Sequence, residues 1–165
     1  MEEKLAKLFG LNDENWLKHA NPKSVWTRAP LLPFIVLAIW SKEWIGIWCL
    51  APLTTLFIWT IINPSFFPAP KTTNNWASKA VLGEKIWINR KKTPIPTHHN
   101  RAINILVSVQ LTGLVLIIIG IYQLNPWQAI SGTICVFLGK MWFLDRTVWI
   151  FEDMKDNPEY SNLLF

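Results

Sequence analysis

The chain has 165 residues, of which 51% are hydrophobic and 16% charged, with a net charge of +5 and 11 tryptophans. A soluble domain of this size carries about 25% charged residues; here long runs have none and a few stretches are dense with them. That pattern excludes an ordinary water-soluble core and predicts an all-α integral membrane protein, with residues 1–165 as a single membrane domain.

Taken in chain order, residues 1–21 form a polar N-terminal segment. It holds no apolar run followed by a small-residue cleavage site, so it is expected to be retained. Leu5, Leu8 and Phe9 recur at helical spacing beside Lys4 and Lys7, which suits a helix lying on a membrane surface. A first span is expected over 22–40. Its uncharged part, Ala29 to Trp40, has only 12 residues and covers about 18 Å, too little for a hydrocarbon core of roughly 30 Å. Crossing therefore requires extension back to Pro22, which takes Arg28 into the membrane. A second span, 44–62, is uncharged throughout. A re-entrant hairpin over 29–62 is the alternative.

Residues 63–101 are too long for a plain connector. Between two proline-rich flanks, Trp76, Ala80, Gly83 and Trp87 recur at helical spacing, so an amphipathic interfacial helix is expected over about 74–89. The third span, 102–124, is uncharged. The fourth, 127–150, stays uncharged only to Gly139 and then runs through Lys140, Asp145 and Arg146. Residues 151–165 form a tail. Four spans in two helical hairpins result. Cys49 and Cys135 both lie in apolar runs and read as small buried hydrophobes.

Lysine and arginine crowd the N-terminal segment and the 63–101 loop, whereas the turns at 41–43 and 125–126 hold only Lys42. The positive-inside rule then puts both termini and the long loop in the cytoplasm, in an inner or plasma membrane. Trp40, Trp44, Trp48 and Trp127 fall near the outer face and the other seven near the inner one, as amphipathic rings prefer. Ser131, Cys135 and Gly139 give the fourth helix a small face, and Gly113 and Gly120 lie one heptad apart on the third, so these helices should pack closely. The basic run Arg90-Lys91-Lys92 is assigned to topology and lipid contact, with no nucleic-acid partner.

Counted inward from the cytoplasmic ends, Arg28 lies about 9 Å deep and Lys140 about 10 Å deep. Asn104, Ser108 and Thr112 share one face of the third span, entering from the same side. Asp145 is the only acid among the spans able to offset Arg28 or Lys140. A polar pocket of Arg28, Lys140, Asp145, His98, His99 and Asn104 is therefore expected. It would bind an anionic lipid headgroup, a partner subunit or a second copy of the chain. The plainer reading is lysine snorkelling plus one structural ion pair. His19, His98, His99 and Glu84 are candidate ligands for a metal ion, although no HxxxH or ExxH spacing supports them. Two rival functions follow. One is a membrane-embedded, metal-dependent enzyme acting on lipid-phase substrates, with Asp145 or Lys140 as acid-base group. The other is a small transporter, for which matching helix interruptions in the two halves are missing.

The segments HANPKSVWTR (19–28), WSKEWIGIW (40–48), SKAVLGEKIW (78–87), PIPTHH (94–99) and KMWFLDRTVWIFEDM (140–154) resemble a family of small bacterial and archaeal membrane proteins known only as a domain of unknown function. The resemblance runs from about Trp16 to Met154. It implies a multi-pass membrane protein and brings no activity, substrate or cofactor.

Overall fold

The computed structural model describes residues 13–165, and every regular element among them is helical. The surface helix expected around Leu5 to Phe9 lies outside the described residues. In chain order the α-helices are α1 (Asp13–His19), α2 (Pro22–Arg28), α3 (Leu31–Trp40), α4 (Lys42–Ile45), α5 (Leu50–Phe66), α6 (Trp76–Ile88), α7 (Thr97–Tyr122) and α8 (Pro126–Met154). A 3-10 turn, Gly46–Cys49, leads into α5 and another, Ser161–Leu163, follows α8.

Local chemistry sets several boundaries. Asn21 caps α2 by accepting from Lys23 N, and Pro22 occupies the first turn, where a missing N–H costs nothing. Asn75 caps α6 through Ser78 N, and Asn125 caps α8 through Trp127 N and Gln128 N. Pro30 separates α2 from α3, so the expected first span is two helices joined at Ala29–Pro30. At Gly46 the backbone takes φ 56°, ψ −132°, a region open to glycine. The chain reverses near it, and α5 starts later and ends later than the expected 44–62.

Two helical stretches are long and apolar enough to cross a membrane, Pro22–Phe66 and Thr97–Tyr122. The first is folded on itself: α3 packs on α5, and the far ends of the two arms are tied together. There Ser24 Oγ donates to Asn63 Oδ1 (2.8 Å), Asn63 Nδ2 donates to Thr27 Oγ1 (2.9 Å) and Asn21 Nδ2 donates to the Pro68 carbonyl (2.9 Å). The second pairs antiparallel with α8. Gly113 meets the Gly132 carbonyl and Gly120 meets the Ala129 backbone so closely that a methyl group on either glycine would collide. Gly132 and Gly139, rather than Ser131, supply the small face of α8; Ser131 is exposed.

The apolar core does not lie between the long helices. It lies at one end of the molecule, around α6, where Ala77, Ala80, Val81, Leu82 and Ile86 are buried with Trp16, Ile103, Phe143, Ile150 and Phe151. The sequence places α6 on a leaflet surface; in the structure α1, α2 and α8 pack around it. Gly83 permits this, because a Cβ there would run into the Thr147 carbonyl of α8. Thr73 closes the same layer: its hydroxyl donates to the Leu163 carbonyl (2.7 Å) and its N–H to the Phe165 carbonyl (2.8 Å).

Candidate functional site

Where α2, α6, α7 and α8 converge, a cavity of about 300 Å³ opens, lined by Val25, Arg28, Glu84, Gln110, Lys140 and apolar neighbours that include Phe137. Each polar group is fixed by its own element. Arg28 ends α2, and its guanidinium folds back along the helix. Nε donates to the Ser24 carbonyl (3.1 Å), one terminal nitrogen lies 2.6 Å from His19 Nε2, and the other donates to the His19 carbonyl (3.4 Å). Guanidinium has five N–H groups and no acceptor, so Nε2 of His19 must accept and the ring carries its proton on Nδ1. The electrostatics agree. Burial, then the charges of Arg28 and Lys140, lower the His19 pKa from 6.5 to about 2. His19 is a neutral positioning group for Arg28, and its lone pair is already committed.

Lys140, one residue past Gly139 on α8, sends Nζ to within 3.1 Å of Glu84 Oε1 on α6 and 4.7 Å from the Phe143 ring centroid. This corrects the expectation that Asp145, the only acid among the spans, would be the one to offset Arg28 or Lys140. That reading considered the spans alone, whereas α6 packs against α8 and delivers Glu84. Asp145 instead accepts from Trp76 Nε1 (3.2 Å), and Trp76 stacks on Trp26. Gln110, which sequence reasoning overlooked, sits in the cavity wall with Nε2 directed at the Gly139 carbonyl (3.4 Å). Its signal was its register. It continues the inward face of Leu106, Gly113, Ile117 and Gly120, whereas Asn104, Ser108 and Thr112 are exposed and the Ser108 and Thr112 hydroxyls bond their own helix.

His98 and His99 are elsewhere. They stand at the start of α7 against Asp153 in the last turn of α8. His99 Nε2 is 2.9 Å and His98 Nε2 3.7 Å from the same oxygen, Asp153 Oδ2. Asp153 lies thirteen residues beyond Lys140, about 20 Å along the helix. The neighbouring Glu152 is engaged with Lys79 and Lys155, whose hydrogen bonds, Lys79's foremost, hold its carboxyl below the usual range. The residues expected to share one pocket thus divide: Arg28, Lys140, Glu84 and His19 together, His98 and His99 with Asp153, Asp145 with Trp76, and Asn104 facing outward.

A second, predominantly apolar groove of about 650 Å³ runs between the hairpins, lined by Pro33, Leu37, Trp40, Trp44, Ile130, Ile134 and Phe137 among others. Phe137 borders both spaces.

No curated protein and no solved structure matches the chain. A sequence model described as "Family of unknown function (DUF6653)" matches residues 1–162, a range that takes in both hairpins and the layer around α6. With nearly its whole length inside that match, the chain belongs to this family of unknown function.

Proposed function

We propose that the protein crosses the membrane four times and binds an anionic amphiphile, headgroup at Arg28 and Lys140, tail along the groove between the hairpins. The observation that carries the reading is Phe137. On one side of it lies a cavity walled by two cations, on the other an apolar groove, so the two spaces border one another at a single ring. An amphiphile has that same division of chemistry. Arg28 keeps guanidinium N–H groups beyond those bound to His19 and Ser24, and Lys140 keeps ammonium donors beyond the one on Glu84. Basic pockets between helices suit such headgroups.

Four crossings are supported by arm length and exposure. Residues 22–40 and α5 measure about 28 and 25 Å along their axes. Phe57, Ile58, Leu111, Val115, Ile118, Ile130, Ile134 and Leu138 are exposed, a surface that lipid rather than water would cover. The concentration of Lys and Arg at the α6 end supports an orientation with that layer and both termini in the cytoplasm.

The test is the lipid that accompanies the protein through purification in mild detergent, identified by native mass spectrometry. Wild type should retain an anionic lipid. Arg28→Gln/Lys140→Gln should lose it, Lys140→Gln alone should retain severalfold less, and Glu84→Gln, which removes a competing carboxylate, should retain more. Equal lipid content in all four proteins rules the reading out.

A further inference from the structure

We propose that His98, His99 and Asp153 form a binding site for a divalent transition-metal ion, separate from the amphiphile cavity. Neighbouring residues on an α-helix point about 100° apart, so adjacent histidines do not ordinarily aim at one point. These two do: their rings lie 4.0 Å apart and both Nε2 atoms approach Asp153 Oδ2. One ligand atom from each of the three residues falls within a single 4.8 Å cluster.

The spacing fits a metal. With metal–nitrogen and metal–oxygen bonds near 2.0–2.1 Å, the edge of a tetrahedron is about 3.3 Å. The two histidine–carboxylate separations, 2.9 and 3.7 Å, bracket it. Two imidazoles and one carboxylate select zinc, iron or another first-row ion over magnesium or calcium, and three protein ligands leave coordination positions for water. His98 is two-thirds exposed and gives an ion access from solvent, whereas His99 is 2% exposed and anchors the set.

A His99–Asp153 hydrogen bond tying α7 to α8 is the simpler account. It leaves one observation unexplained. It gives His98 no reason to turn its Nε2 toward the same oxygen. The start of α7 opposes a cation by its helix dipole. The end of α8 lies beside it and contributes the opposite sign, together with the Asp153 carboxylate. Glu152, bound to Lys79 and Lys155, is not needed as a ligand.

The experiment is a zinc titration of the full-length protein, stripped with chelator and purified without a histidine tag, followed by calorimetry and elemental analysis. Cobalt(II) absorption supplies an independent signature of nitrogen and oxygen ligation. One ion per chain is expected. His98→Ala and Asp153→Asn, both at sites open to solvent, should each weaken binding by roughly a hundredfold or more, beyond the loss seen for outer-shell partners. His19→Asn and Glu84→Gln should bind as wild type. No binding by wild type, or binding that survives both His98→Ala and Asp153→Asn, overturns the assignment.

Discussion

Among the described residues, His19 is the one whose environment most departs from that of its side chain in water. It is buried, neutral, and accepts a hydrogen bond from an arginine. Its pKa is about 2 in the folded chain against 6.5 when exposed, so between those values the unfolded chain binds the extra proton. Stability contributed by neutral His19 is therefore complete above pH 6.5 and falls as pH drops, by up to roughly 1.4 kcal/mol per pH unit. The detergent-solubilised protein should lose thermal stability between pH 7 and pH 5. His19→Asn should be less stable at neutral pH and show a flatter profile; a wild-type midpoint that does not move with pH would contradict this account. Lys140 and Glu84 behave differently. Their side chains are 44% and 24% exposed, so the pair adds no more than about 1 kcal/mol and its substitution should leave folding nearly unchanged. That separation makes Glu84→Gln a clean probe of ligand binding. At this scale the sequence showed which residues were unusual more readily than which would meet. Arg28 and Lys140 declare themselves as cations in apolar runs, and His98 and His99 as a histidine pair. Glu84 and Asp153, their carboxylate partners, come from other elements, and only the packing of α6 and α7 on α8 brings them near.

Among the elements, α6 carries the consequence least evident from its composition. Trp76, Ala80, Gly83 and Trp87 suggested an amphipathic helix with one apolar face, yet the helix also buries Ala77, Ser78, Val81, Leu82 and Ile86. Periodicity detects one buried face; it cannot reveal that protein covers a second. Gly83 is the control point. Gly83→Ala would place a methyl group against the Thr147 carbonyl and force α6 off α8, a destabilisation of about 1–3 kcal/mol or more. The expected readout is a lower unfolding midpoint together with loss of the lipid proposed to bind at Arg28 and Lys140. Gly46→Ala, where nothing lies within 4 Å of the added methyl, should cost only the strain of its φ of 56°. Equal effects at the two glycines would remove the distinction. The pairing of α7 with α8 was legible from Gly113 and Gly120 and, on α8, from Cys135 and Gly139, which also meet α7; the exposed Ser131 is off the contact, and Gly132 beside it is the close approach the spacing did not show.

For the molecule as a whole, the all-helical character and the long apolar stretches were legible because helix-length uncharged runs show directly in the residue order. The position of the core was not, since nothing local marks which end of a helix bundle is wrapped by protein. The proposed arrangement makes a direct prediction about sidedness. In a background with Cys49 and Cys135 replaced, single cysteines at Lys42 and Gln123 should react with a membrane-impermeant maleimide from outside intact cells, and those at Lys91 and Lys155 only after lysis. Labelling of Lys91 or Lys155 variants in intact cells would reverse or abolish the topology. The clasp between Thr73 and residues 163–165 also bears on how the protein is made. During synthesis, α6 emerges before its principal cover, α8, exists. Leu82 and Ile86 then wait, uncovered, while α7 and α8 are still being made, and Thr73 finds its partners only when residue 165 has left the ribosome. Nascent chains of intermediate length should thus be the species that quality-control proteases and membrane chaperones see most.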